Sequence, residues 1–87
     1  MKIKEGFMLH EVGGEYIVVA VGKAGAEFNG VIKLNSTCAE IWKQIEQGLG
    51  EDEIAKNLAD RYDVDGEKAL ADVRRIIASL AENGILE

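Results

Sequence analysis

EFNGVIKLNSTCAEIW, residues 27–42, passes from a β-branched run straight into an amphipathic one. The join, Asn35-Ser36-Thr37, holds neither glycine nor proline, so a strand gives way to a helix without a punctuating turn. Asn35 or Ser36 suits the N-cap, where a short polar side chain accepts from otherwise unpaired first-turn amides. Glu40 lies too far along to close a capping box with either. Beyond the cap, Cys38, Ile41, Trp42, Ile45 and Leu49 recur at helical spacing, and Gly48 and Gly50 end the run. Upstream, VIKLN (31–35) reads as a short strand.

Toward the N-terminus, two more strands precede this junction. Residues 15–21 are rich in β-branched side chains, and Gly13-Gly14, between them and the strand-like 7–12, is a good turn dipeptide, so 7–12 and 15–21 predict a hairpin. Residues 22–30, with three glycines and an Asn-Gly, predict a loop or wide turn. Toward the C-terminus, two more helices follow. Residues 51–64 open with Glu51, Asp52 and Glu53, which complement a helix N-terminus, and place Ile54, Ala55, Leu58, Ala59 and Tyr62 on one face. Asp63-Val64-Asp65-Gly66 breaks that helix, and Asp65 caps a longer one over about 67–83. Its stripe is Ala69, Leu70, Val73, Ile76, Ile77, Leu80 and Ala81; Asn83-Gly84 ends it, and Ile85-Leu86 return to the core. The predicted fold class is α+β: a three-stranded antiparallel sheet followed by three helices, in the manner of a winged helix-turn-helix.

The chain has 87 residues, which predicts one domain over 1–87. A chain of this size buries roughly 60% of its unfolded surface, and an ordinary catalytic cleft would compete with the core for apolar residues. Net charge is −6 and the ten lysines and arginines are scattered, the opposite of the basic stripe that exchanges for phosphate counterions. No nucleic-acid partner is expected. With no apolar stretch of membrane length and no signal-peptide pattern, neither is a membrane partner, and the expected location is cytoplasmic.

Candidate chemical groups fare poorly. The single Cys38 has no disulfide or metal partner and sits on an apolar helix face. His10 alternates within a strand with no nucleophile or acidic orienter beside it. Glu51, Asp52 and Glu53 are contiguous and so diverge around a helix, which suits the dipole better than a metal. Residues 63–69 resemble the start of a calcium loop, but the twelfth position counted from Asp63 is Arg74. Neither Ser36 nor Ser79 lies in an acyl-carrier motif, and the glycines at 22, 25 and 30 lack the strand–glycine–helix context of a phosphate loop. No cofactor, metal or catalytic residue is expected. Trp42 reads as core. Arg74 and Arg75, with Ala71 and Ala78, form a flank off the main stripe of the last helix: a solvated surface, or the wall of a shallow groove for an acidic peptide.

Three stretches carry a family resemblance: FNGVIKLNSTCAEIW, GLGEDEIAKNLADRYDVD and ALADVRRIIASLAENGILE. In order, from about residue 7 to the C-terminus, they resemble the PqqD family of RiPP recognition elements. The resemblance implies a non-catalytic winged-helix-like domain. Such a domain binds the leader segment of a ribosomally made precursor peptide and presents it to a modifying enzyme, often a radical S-adenosylmethionine enzyme. It further implies that the leader adds as a strand along Val31, Ile32, Lys33 and Leu34 and lies against Leu70, Val73, Arg74, Ile77 and Ala78 of the last helix. A free edge of this kind also admits pairing with a second copy, so a monomer or an edge-strand homodimer is expected. On this reading Ile32→Asp weakens leader binding more than Glu11→Ala. The competing expectation is a winged-helix DNA-binding regulator, which the acidic balance opposes.

Overall fold

The computed structural model describes residues 1–22 and 31–87. The loop or turn expected over 22–30 therefore lies, apart from Gly22, outside the described residues. The order is β1 (Phe7–Val12), β2 (Glu15–Ala20), β3 (Val31–Leu34), then α1 (Ser36–Glu46), α2 (Glu51–Tyr62) and α3 (Gly66–Glu82). The strands form one antiparallel sheet in the order β1-β2-β3. Gly13 and Gly14 both have positive φ, the backbone that a two-residue hairpin turn demands, which is why glycine occupies both places.

Register decides what each strand buries. Leu9, Val18 and Ile32 stand opposite one another across the sheet, as do Phe7 and Ala20 on β1 and β2, and Tyr16 and Leu34 on β2 and β3. Phe7, Leu9, Val18, Ala20, Ile32 and Leu34 face the helices and join the core. The alternate set, including Met8, His10, Val19, Val31 and Lys33, forms the outer face, as the period of two requires. Trp42, Ile41, Ile54, Val73 and Ile85 are fully buried beneath the sheet and between the helices. The helical stripes expected for α1, α2 and α3 supply that core, except that Tyr62 and Ala81, at the C-terminal ends of their stripes, are exposed. Trp42 Nε1 is buried and, among the described residues, finds no hydrogen-bond acceptor.

Asn35 proves to be the α1 cap: its Oδ1 accepts from the Cys38 amide at 2.8 Å, and its backbone is extended. Asn35→Ala should therefore lower stability by about 1 kcal/mol, within the usual 0.5–2 kcal/mol range for a lost cap, as read by urea denaturation; no change would mean that Ser36 replaces it. Asp65 caps α3 through a longer bond, 3.3 Å to the Glu67 amide. Asp63 ends α2 in the left-handed region at φ 50°, unusual for a side-chain-bearing residue but tolerated by aspartate.

The chain ends meet, which periodicity does not foretell. Ile3 bridges Leu86, the Lys4 amide donates to the Ile85 carbonyl at 2.8 Å, and the Glu87 amide donates to the Lys2 carbonyl at 2.8 Å. Ile85 is fully buried, as its apolar character next to the Gly84 stop suggests.

Candidate functional site

β3 is an edge strand: among the described residues it pairs with β2 on one side and with no strand on the other. Its backbone therefore presents unpaired N–H and C=O groups on alternate residues, a template for another strand. Val31 is 60% exposed on the outer face, and Lys33 beside it reaches Glu15 at 3.7 Å, both side chains well solvated. Ile32 and Leu34 point the other way and pack against the core. Ile32→Asp would thus set a carboxylate opposite the fully buried Val18 and disturb the fold as well as any ligand, so it is a poor probe of the edge.

The α3 residues expected at a wall do not share one environment. Val73 is fully buried. Leu70 and Ile77 are half-buried against the core, while Ala78 is exposed. Arg74 turns toward α2, where its Nε donates to Glu51 Oε1 at 3.1 Å. The opposite flank of α3 carries Lys68, Asp72 and Ile76; at ~100° per residue Asp72 and Arg74 lie ~160° apart around the helix. Lys68, Ala69 and Asp72 share a cavity of about 180 Å³ with Thr37, at the start of α1, and with Leu58, Tyr62 and Val64. Thr37 follows the end of β3 by three residues, and much of the cavity's lining is apolar. Arg75 bonds along its own helix, 3.5 Å from Asp72.

Sequence reasoning placed none of the cavity-lining residues Thr37, Lys68 and Asp72 at a site. The signal available was the second flank of the same α3 stripe, which periodicity cannot rank against the first. No group of three or more His, Cys, Asp or Glu among the described residues is arranged to hold a metal. His10 is exposed on the outer sheet face and Cys38 is half-buried in α1. No described helix is long and apolar enough to cross a membrane.

Three antiparallel strands leading into three helices, with an open outer strand, define the class: a winged-helix-like α+β domain. The family follows from the sequence itself. The chain belongs to the PqqD family, whose model, coenzyme PQQ synthesis protein D (PqqD), matches residues 5–86. Two solved structures share the fold. One is TbiB1 in complex with the TbiA(beta) leader peptide, 23% identical with a TM-score of 0.83, matched over 100% of this chain and 95% of that one. The other is lasso peptide synthetase B1 complexed with the leader peptide, 22% identical with a TM-score of 0.83, matched over 99% and 95%. No curated protein matches significantly.

Proposed function

We propose that this chain binds the leader segment of a ribosomally made precursor peptide and delivers it to a modifying enzyme, catalysing nothing itself. Membership of the PqqD family supports this reading, as does a fold shared with two proteins solved with leader peptides. The observation that carries it is the open edge of β3, with a partly apolar cavity lined by Thr37 three residues further on. Strand addition needs both: backbone groups give affinity, and pockets for alternate side chains give selectivity.

Magnitudes show why the cavity matters. A four-residue edge offers roughly four hydrogen bonds, each netting about 0.5–1.5 kcal/mol. Association and ordering cost at least ~4 kcal/mol, so pairing alone comes out near zero. Micromolar binding needs about 8 kcal/mol more, which corresponds to about three to five apolar side chains at roughly 1.5–3 kcal/mol each. On this reading the strand site is Val31, Ile32, Lys33 and Leu34. The wall is the α3 flank of Lys68, Asp72 and Ile76 together with Thr37, while Arg74 is held by Glu51, Ala78 is exposed and Leu70 and Ile77 pack against the core. The enzyme served is of the radical S-adenosylmethionine type, and the complex forms in the cytoplasm. In the absence of leader, the same edge pairs two copies at high concentration, in competition with the peptide.

The test is an amide-shift titration of the labelled domain with the leader of its own pathway's precursor. Saturable shifts in residues 31–37 and 68–76 support the reading. Shifts with duplex DNA and none with leader would make the protein a regulator instead. The choice of flank is tested separately. Thr37→Phe fills the cavity and should weaken leader binding at least tenfold by calorimetry while the melting temperature stays near that of wild type. Arg74→Ala loses only a solvated pair with Glu51 and should change affinity less than threefold. The reverse order would move the groove to the Arg74 side.

A further inference from the structure

The outer face of the sheet, turned away from the helices, is not uniformly polar. Met8 stands opposite Val19, and Val19 opposite Val31, so one apolar side chain from each strand forms a row across the sheet. Both ends of the row are open, Met8 at 48% exposure and Val31 at 60%, while Val19 between them is half-buried. The neighbouring row differs in kind. It runs His10, Ile17, Lys33, with a polar residue at each end and Lys33 turned back toward Glu15 of β2. Apolar side chains directly opposite one another on adjacent strands stabilise a sheet by covering each other from water. Among the described residues, Val31 has such a neighbour on the β2 side only; its other side is the open edge of β3.

We propose that the peptide paired with β3 completes this row: its residue opposite Val31 is apolar and points to the outer face, where the sheet reads it directly. The inference rests on the strand-addition reading and adds a selective position to it. In that reading the selective side chains are those that point inward, toward the helices. Side chains alternate along a strand, so the peptide residue opposite Val31 points outward as Val31 does and never meets the helix wall. The next outward residue, two positions along, lies opposite Lys33 and is suited by a polar or acidic side chain. That difference resists a slip that the inward pockets tolerate better. A one-residue slip exchanges the two faces of the peptide, whereas a two-residue slip keeps the faces and sets the apolar residue against Lys33. A second copy of the chain fills the row poorly. The symmetric antiparallel register centred on Ile32 sets Lys33 opposite Val31, and the one centred on Lys33 sets like charges directly opposite.

The test uses the labelled domain and the leader of its own pathway's precursor. Nuclear Overhauser contacts from Val31 in the complex name the leader residue opposite it, which should be apolar. A polar residue there, or a bound leader that makes no contact with Val31, would overturn the inference. Changing that leader residue to Glu should weaken binding to wild type threefold to tenfold by calorimetry. The same change two positions along, opposite Lys33, should weaken it less than twofold. Val31→Lys should weaken the native leader by a similar threefold to tenfold and bind the Glu-bearing leader at least as well as the native one, because opposite charges then face each other. Val31→Thr keeps the β-branch and exchanges one methyl for a hydroxyl; its loss of about twofold to threefold guards against a lysine that disturbs the edge itself. Native leader bound equally well by wild type and both variants would overturn the outward position and leave strand addition intact. A wild type that binds no leader would end the peptide reading, and this inference with it.

Discussion

Trp42→Ala should lower the unfolding free energy by about 3–5 kcal/mol, the range for truncating a large buried aromatic side chain. Trp42 is fully buried at the centre of the only cluster in which sheet and all three helices meet, among the described residues. A domain of 87 residues has about 4–13 kcal/mol in total at ordinary stability per residue. The variant would therefore melt at least about 12 °C lower, and at the weak end of the range would be largely unfolded. Trp42→Phe separates packing from polarity. It keeps most of the apolar contact and removes a buried N–H that has no acceptor among the described residues, a group whose burial without one itself costs about 1–3 kcal/mol. Its loss should accordingly stay below about 2 kcal/mol. Denaturation curves for the pair that showed equal, small losses would mean that the indole is not the keystone its burial indicates.

Leader binding should slow hydrogen exchange at alternate amides of Val31–Leu34 by up to about 100-fold, at a free leader concentration 100 times Kd. That limit holds for amides that open only when the peptide leaves, since ligand linkage is then worth about 2.7 kcal/mol. Alternation is the diagnostic feature. In an edge strand every second residue directs its N–H outward, and the others already bond to β2. Amides of β1, at the opposite edge of the sheet, should be unaffected. Uniform slowing across 31–34, or equal slowing in Phe7–Val12, would count against strand addition at β3 and favour docking on a face of the domain.

Much of this protein can be read from local pattern. Alternation around Val18 and Ile32, the Gly13-Gly14 turn, the Asn35 and Asp65 caps and the three apolar stripes specify the order of strands and helices and which residues face inward. Each of these signals is carried by residues within a few positions of one another, and the observed elements agree with the expected ones to within a residue or two, except that α1 ends at Glu46 and leaves Leu49 beyond it. The choice between Asn35 and Ser36 was open in sequence because both are good caps. Only the extended backbone at Asn35, which brings its Oδ1 to the Cys38 amide, decides it.

The candidate site was legible to a lesser degree. An edge position for β3 follows from topology that the strand order suggests, but a helix wall requires knowing which flank of α3 faces which neighbour. Periodicity centres the buried stripe on Ala69, Val73 and Leu80 and is symmetric about it, so Arg74 on one side and Asp72 on the other look equivalent in sequence. Glu51 holding Arg74, and Thr37 facing Lys68 and Asp72, break that symmetry. The Lys43–Tyr16 and Glu40–Arg61–Tyr62 contacts are likewise between residues about twenty or more apart in the chain. The sequence by itself determined the elements, their inward faces and the family, because those depend on spacing along the chain. Tertiary structure alone decided which neighbour each flank of α3 meets and that the chain ends meet, because each depends on where one finished element comes to rest against another.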